Sequence, residues 1–493
     1  MKKMIFAVLV FALAAGFLSS CSEKPAANNT GETQVSSQDV DAQPTEEKAD
    51  EFADRQNIDD GLGAFDFGGE AFTVIYEIAQ MVEPYFAEEQ IGSPINDAVY
   101  RRNLDIEERF NIKFKIFDTA YDRIVATISK SVMAGSGDYD FGLAHTYVGL
   151  SGAISKGQLY DWNKTPAVDM DKPWWNASVK ERLSINGRVF VASSDYVYQR
   201  PGVIYFNKAM IKNLALENPY ELVRGGDWTW DKLSEMAARA SADLNGDGVF
   251  DKNDQYGYAH WVAWQTVAVI HSNGLFLTEN DEDGYPRFTP FLTEKMKTVF
   301  EKYHDLIYVG NKTFNIPGSE EVYYIGSTTP LFGSGQVLFL HSNTELLKPF
   351  AGLELEFGML PLPKYDKLQK DYRCMGDTQM MVIPSDAKNI DMSGVISEAL
   401  SVYSYKYVVP AVYSVMYANR YLRDEESYEM FNLIRKGIVY EFAWTFGEGN
   451  SMAYAFPTVI NQKSTDIVSF CEKNAPNAEK ALAKLIDSVS ALD

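Results

Sequence analysis

Apolar residues are distributed along this chain in three regimes. Met4 to Phe17 is a continuous apolar run. Residues 22–64 carry few apolar side chains. From Phe65 onward apolar positions return with the two spacings of folded structure. Ala71–Glu77 and Asn111–Phe117 read as strands, the second by its alternation. Between them Ser93 caps a stretch whose Ile95, Val99, Leu104, Ile106 and Phe110 keep roughly helical spacing. Tyr121–Met133 reads as an amphipathic helix and Tyr139–Ala144 as a buried strand. A β-α-β-α-β rhythm predicts a parallel sheet with crossover helices, an α/β class of fold. Strand-like runs at Arg188–Ala192 and Val203–Asn207 follow, joined by Ser193–Gly202. The rhythm then restarts. A helix follows Asp231, Tyr256–His260 is a strand, and Leu292–Leu306 is a helix. Strands are expected at Gln336–His341, Glu354–Leu360 and Thr378–Pro384, and mostly helix from Ile390 on. Two βα-rich blocks therefore meet near 193–202, which predicts a hinge there.

The first apolar run is too short for a membrane span, which needs about 20 residues. With Lys2 and Lys3 before it and small residues after it, residues 1–20 have the layout of a signal peptide. Leu18-Ser19-Ser20-Cys21 resembles the lipobox of bacterial lipoproteins. That resemblance implies a mature chain beginning at a lipidated Cys21, outside the cytoplasm and held to a membrane by its acyl chains. The alternative is an ordinary secretory signal with an unrelated cysteine. Residues 22–69 hold twelve acidic and three basic side chains. A segment so charged and so poor in apolar surface cannot offset the entropy of ordering. Residues 21–69 therefore read as a disordered acidic tether.

The remaining body of about 420 residues suits two domains or one large one. Its apolar supply is ample: 46% of the chain is hydrophobic and 13% aromatic. The net charge of −23 argues against nucleic acid, whose partners need basic faces. It argues equally against electrostatic docking on anionic lipid. Cys374 and Cys471 are too few for a disulfide framework and read as buried thiols, although a bridge between them stays open.

Asp243–Asp254 has the oxygen-ligand spacing of an EF-hand-like loop. Asp243, Asn245, Asp247, the Val249 carbonyl, Asp251 and Asp254 would be the ligands. Gly248 permits the sharp bend. Ca²⁺ takes six to eight hard oxygens, so alternating acids and amides on a curled loop suit it. Every ligand comes from within the loop, which points to a structural role. The bland reading is a solvated Asx/Gly turn.

Aromatic residues cluster at Trp174-Trp175, Trp228 with Trp230, Trp261 with Trp264, and Trp444 with Phe446. Flat amphipathic rings suit the apolar faces of sugars, and they equally suit a core. Trp261, Trp264 and Trp444 lie near predicted loops or element ends, which favours a pocket. Catalytic patterns are weak. His145, His260, His271, His304 and His341 show no paired metal-ligand spacing. No nucleophile elbow, phosphate-cradling loop or dinucleotide fingerprint occurs. Ser385 and Lys388 have SxxK spacing without the other elements of a serine acyltransferase. Carboxylate pairs for glycoside hydrolysis stay open among 68 acids.

Several passages occur in a recognisable order: Gly137-Asp138-Tyr139-Asp140-Phe141-Gly142, Gly157-Gln158-Leu159-Tyr160-Asp161, Lys172-Pro173-Trp174-Trp175-Asn176, and Ser184-Ile185-Asn186-Gly187-Arg188. Ile204-Tyr205-Phe206-Asn207-Lys208, Gly226-Asp227-Trp228-Thr229-Trp230-Asp231 and Asp254-Gln255-Tyr256-Gly257 follow. On these, residues 70–493 resemble the extracellular solute-binding lipoproteins of bacterial ABC importers, in the carbohydrate-binding group related to maltose-binding proteins.

The resemblance implies a two-lobed periplasmic-binding-protein-like (type II) fold whose discontinuous lobes, joined by a hinge, close on a ligand. Lobe one would be 70–193 plus 358–412, and lobe two 198–357 plus 413–493. It nominates as pocket residues His145, Thr146, Tyr147, Asp195, Tyr196 and Tyr198, with Trp261, Trp264, His341, Asn343 and Trp444 opposite them. It implies a non-catalytic monomer that captures a carbohydrate and meets the transmembrane subunits of an ABC permease. A sensor subunit or a binder of peptides on the same fold, and an extracellular hydrolase, are the competing expectations.

Overall fold

The computed structural model describes residues 54–78, 85–261, 264–289, 291–316, 324–376, 379–418, 424–447 and 450–492. The signal segment, Cys21 and the tether up to residue 53 lie outside the described residues. The end of the expected tether does not behave as one. Leu62 is buried in the core, Ile58 and Phe67 pack against it, and Asp60 pairs with Arg109 at 2.5 Å. The apolar residues that return near Phe65 are thus already part of the body, and ordering begins before residue 69.

The first block forms as the periodicities predict, with β1 (Glu70–Tyr76), α1 (Pro94–Phe110), β2 (Ile112–Asp118), α2 (Ile124–Ala134) and β3 (Phe141–His145). Helix α1 starts with Pro94, whose missing N–H costs nothing in a first turn, and stops at Asn111 in the left-handed region (φ 49°). Its buried face differs from the expected one in two places. Leu104 is exposed, whereas Arg102 is fully buried. The Arg102 guanidinium donates to Ser404 Oγ and Asn103 Oδ1, each at 3.0 Å, and to the Tyr85 carbonyl, and it lies 4.9 Å from the Tyr196 ring centre. A buried cation survives only with such a set of partners.

The chain continues through α3 (Ala177–Leu183), β4 (Gly202–Asn207), α4 (Trp230–Ala240), β5 (Tyr256–His260), α5 (Trp264–Ser272), α6 (Glu294–Tyr308) and β6 (Thr313–Asn315). Helix α4 crosses β5 so closely that a Cβ at Gly257 would lie 2.1 Å from the Ala237 carbonyl oxygen. Then come β7 (Val337–Asn343), β8 (Phe357–Pro361), β9 (Cys374–Met375) and β10 (Gln379–Val382). Helices α7 (Ile390–Tyr403), α8 (Val409–Ala418) and α9 (Glu425–Lys436), strand β11 (Ile438–Val439), and helices α10 (Phe442–Phe446) and α11 (Ile467–Ser490) complete it. Cys374 and Cys471 are buried and free, and burial pushes their thiols up to about 12 and about 11.

Two main sheets result: a four-stranded one, β10-β3-β1-β2, and a five-stranded one, β8-β4-β7-β5-β6. β1 runs parallel to β2 and β3, and β5 runs parallel to β6 and β7. The expected strand Arg188–Ala192 is reduced to isolated bridges, Ile185 with Arg188 and Ala192 with Met381. The expected return to the first lobe at 358 falls inside β8, which pairs with β4 in the five-stranded sheet. The chain re-enters the four-stranded sheet only at β10. Helix α8 packs on α1, while its Tyr413 also meets Phe431 and Arg435 of α9, so the expected switch at 413 falls where the two blocks touch. Strand content alone could not fix these switches, because β8 and β10 are both short apolar runs.

Candidate functional site

The pairings bring the carboxyl edges of both sheets to the same crossing strands. Ala192 and Met381 exchange backbone hydrogen bonds of 2.9 and 2.8 Å, antiparallel, and β10 is antiparallel to β3. The run ending at Ala192 therefore points the same way as β3, and Ser193 emerges at the carboxyl end of β3. The crossover then enters β4 at Gly202, opposite Asn343, the carboxyl end of β7. A second crossing leaves β8 at Pro361, opposite Val203, and arrives at Gln379, opposite His145. Ligands of open α/β sheets bind outside the carboxyl ends of the strands. Here both sheets offer that edge to a shared seam.

Several nominated residues meet there. His145 ends β3, and Tyr147 sits in the left-handed region (φ 54°) just beyond it. The Tyr147 N–H donates to the Thr445 carbonyl at 2.8 Å. Its ring lies 5.2 Å from that of His145 and 5.1 Å from that of Trp444, which in turn lies 5.0 Å from Tyr454. Burial, with the Tyr121 ring as a lesser cause, raises the Tyr147 phenol above its ordinary range. The loop after β3 is thus stitched to α10 by one backbone bond and an aromatic stack. Thr146 Oγ1 and Trp444 Nε1 are buried in this stack with no hydrogen-bond partner among the described residues.

Asp195 and Tyr198 flank the crossover. The Asp195 carboxylate pairs with Arg435 at 3.2 Å, and burial raises its pKa against the pull of that guanidinium. Tyr198 is half-buried and stacks 5.0 Å from Tyr85, whose hydroxyl accepts from the Tyr198 N–H and donates to Gln379 Oε1 at 2.7 Å. Trp261 is half-buried just after β5.

Other nominees are placed differently. Tyr196 is 1% exposed and packs on Tyr85, Phe141 and Arg102, so it is core. His341 is fully buried inside the five-stranded sheet. Its Nδ1 shares a 2.9 Å hydrogen bond with the Tyr258 hydroxyl, within a chain that continues through Tyr303 and His260 to Asn315. Desolvation holds His341 well below the ordinary histidine range and His260 at about 4, so both are neutral. Strand alternation does not say which face meets the helices, so it leaves a pocket-facing and a buried His341 equally compatible with the sequence. Asn343 caps the following turn, its Oδ1 accepting from the Glu345 N–H at 3.0 Å. Trp264 opens α5, and its side chain lies outside the described part. Trp444, at 3% exposure, is packed against the rings of Tyr147 and Tyr454.

Two charged residues of the seam escaped the sequence reading. Arg200, in the crossover, donates to Glu345, just past β7, at 2.6 Å, and Asn343 Nδ2 adds a bond of 3.3 Å to the same carboxylate. The available signal was position: a charge inside the predicted hinge and another two residues beyond a nominated asparagine.

In the loop 243–254 the donor set is all oxygen, which fits a hard cation. Gly246 and Gly248 adopt φ of 71° and 79°, giving the curl. The side-chain oxygens accept backbone N–H bonds: Asp243 from Gly246 and Gly248 at 2.7 and 2.8 Å, Asp247 from Val249 at 2.7 Å, and buried Asp254 from Leu244 and Asp251 at 2.9 and 2.8 Å. No three His, Cys, Asp or Glu side chains converge on one point among the described residues.

The fold recurs in solved structures. One is a sugar transporter protein of Rhizobium etli in an open conformation, 16% identical over 86% of this chain and 100% of that one, with a TM-score of 0.55. Another is an ABC transporter solute-binding protein of Thermotoga lettingae bound with alpha-D-tagatose, at 14% identity, 84% and 100% coverage and 0.53. A third is UgpB of Mycobacterium tuberculosis in complex with glycerophosphocholine, at 15%, 85% and 98%, and 0.53. A comparison with curated protein sequences finds no match. The model of the family described as bacterial extracellular solute-binding protein matches residues 105–396, more than half of the chain. With two sheets presenting their carboxyl edges to one seam and a family match across both, this chain belongs to the bacterial extracellular solute-binding proteins.

Proposed function

We propose that the seam captures a carbohydrate, probing an oligosaccharide chain with aromatic faces, and that the protein delivers it unchanged to an ABC permease. The single observation that carries this reading is the shared carboxyl edge, lined by Tyr147, Tyr198 and half-buried Trp261 beside the Arg200–Glu345 pair. Rings recognise the apolar faces of sugars, while a few placed polar groups fix the hydroxyls. The solved relatives with tagatose and with glycerophosphocholine support a polar, hydroxylated solute. Calorimetric titration with mono- and oligosaccharides, and with glycerophosphocholine for comparison, tests it. Recovery of the sugar chemically intact by mass spectrometry tests the absence of catalysis. A panel in which no carbohydrate binds, or one in which the sugar is cleaved, overturns the reading.

In this proposal Cys21 carries the lipid, and the segment after it lets a monomeric body reach the permease. The loop at Asp243, Asn245, Asp247, Val249, Asp251 and Asp254 would hold Ca²⁺, whose two charges would offset half of those on the four acids and lock the turn between α4 and β5.

A further inference from the structure

Beside the crossover lies a cavity of about 460 Å³ that borders the seam at Asp195 and extends away from it to Arg373 and Lys436. Small-molecule pockets fall at about 300–1,000 Å³. One wall is the run from Trp174 to Ser178 with Ser193–Asp195; the other is Arg373 with Arg435–Val439. The first wall belongs to the four-stranded block, since Trp174 and Trp175 donate their indole N–H groups to Glu398 of α7. The second follows α9, which packs on β8 of the five-stranded block.

The charge of this cavity runs against that of the chain. Arg373, Arg435 and Lys436 line or flank it, against Asp195 and Asp371, in a protein of net charge −23. Arg435 is already engaged by Asp195 and by the Tyr413 hydroxyl. Arg373 lies 5.5 Å from the Phe276 ring centre, and its one carboxylate neighbour among the described residues, Asp371, is at 3.9 Å and 71% exposed, too far for a hydrogen bond. Lys436 has no ion-pair partner among the described residues. Basic residues in the last turn of a helix offset its dipole, which accounts for Arg435 and Lys436. It does not account for Arg373, which comes from a different segment.

The polar groups are equally specific. Ser193 Oγ accepts from Gln199 Nε2 at 3.1 Å and lies 2.8 Å from the Tyr440 hydroxyl, which also reaches Gln199 Oε1 at 3.3 Å, so this wall carries a connected set of hydroxyl and amide groups. The Asp195 oxygen that does not hold Arg435 is left to accept. We propose that this cavity is a second small-molecule site, for a hydroxylated carboxylate of monosaccharide size, a sugar acid. Its carboxylate sits on Arg373 and Lys436, and its hydroxyls meet Asp195 and Ser193. The proposal does not depend on what the seam binds.

Calorimetric titration of the full chain with D-glucuronate, D-glucose and inorganic phosphate tests it. Glucuronate should bind with an affinity that falls as salt rises, with glucose and phosphate at least tenfold weaker. Lys436→Gln and Arg373→Ala should each weaken glucuronate by tenfold or more, with melting temperature and seam-sugar affinity unchanged. Lys436 is exposed, so its replacement leaves the fold intact. Glucuronate binding that survives both substitutions, or phosphate binding equally well, overturns the assignment. So does the absence of glucuronate binding. None of these results bears on whether the seam takes a neutral carbohydrate.

Discussion

Arg200 and Glu345 form a 2.6 Å ion pair that ties the first crossover to the end of β7. Glu345 keeps 4% of its side-chain exposure and Arg200 23%. Breaking a buried pair costs about 3–5 kcal/mol, because a buried charge is left behind. Since Arg200 is partly solvated, Arg200→Ala should cost about 3 kcal/mol in urea unfolding, near the lower end of that range. The Arg200→Ala/Glu345→Ala double variant should lose clearly less than the sum of the singles. Additive losses would show that the two charges act independently.

Glu398 offers a second test, through pH. Its buried carboxylate accepts from Trp174 Nε1 at 2.6 Å, Trp175 Nε1 at 3.0 Å and the Asp169 N–H at 3.2 Å. Burial pushes its pKa up to about 7 from an ordinary 4.5, outweighing these donors. The folded state then holds a proton that the unfolded state has released between those two values. Stability should therefore fall as pH rises through that window and level off above it. Glu398→Gln should flatten this part of the profile, read by denaturation at several pH values. An unchanged slope would place its origin elsewhere.

Trp444 and Trp261 separate packing from binding. Trp444, buried against Tyr147 and Tyr454, should behave as a core ring, so Trp444→Ala should cost about 3–5 kcal/mol. Trp261, only partly buried against the core, should cost less stability than Trp444 when replaced by Ala, and Trp261→Ala should weaken carbohydrate affinity by tenfold or more in titration. A Trp261→Ala variant that binds normally would remove Trp261 from the seam's contacts.

The loop at 243–254 can be examined without any solute. If it holds Ca²⁺, a chelator should lower the melting temperature of metal-loaded protein. A metal that binds only the folded state stabilises it by about 2.7 kcal/mol at a hundredfold excess over its dissociation constant. Asp243→Ala should abolish that sensitivity. Melting that ignores the chelator would leave only a turn whose acids accept backbone N–H bonds.

For the anchor, Cys21→Ser should yield protein that no longer enters the detergent phase on partitioning. Partitioning equal to the parent would mean that the membrane attachment lies at another site.

The α/β class, the seam's first crossover and the order of most strands were legible in the sequence, because each rests on local periodicity. Tyr256–His260 forms the strand that its pattern predicts, and Ser193–Gly202 joins the two sheets where the βα rhythm breaks. Face and partnership were not legible. Nothing in the alternation of β7 says that His341 turns inward to Tyr258, nor that Arg102 rather than Leu104 is buried on α1. Those outcomes depend on residues that are distant in sequence: Tyr85, Tyr196 and Ser404 surround Arg102, and Tyr303 completes the chain at His341. The Arg200–Glu345 and Tyr147–Trp444 contacts span 145 and 297 positions of the chain. Local pattern determined which segments are strands and helices. Only the packing of the two sheets decided which side chains reach the seam, because burial and pairing are properties of neighbours in space.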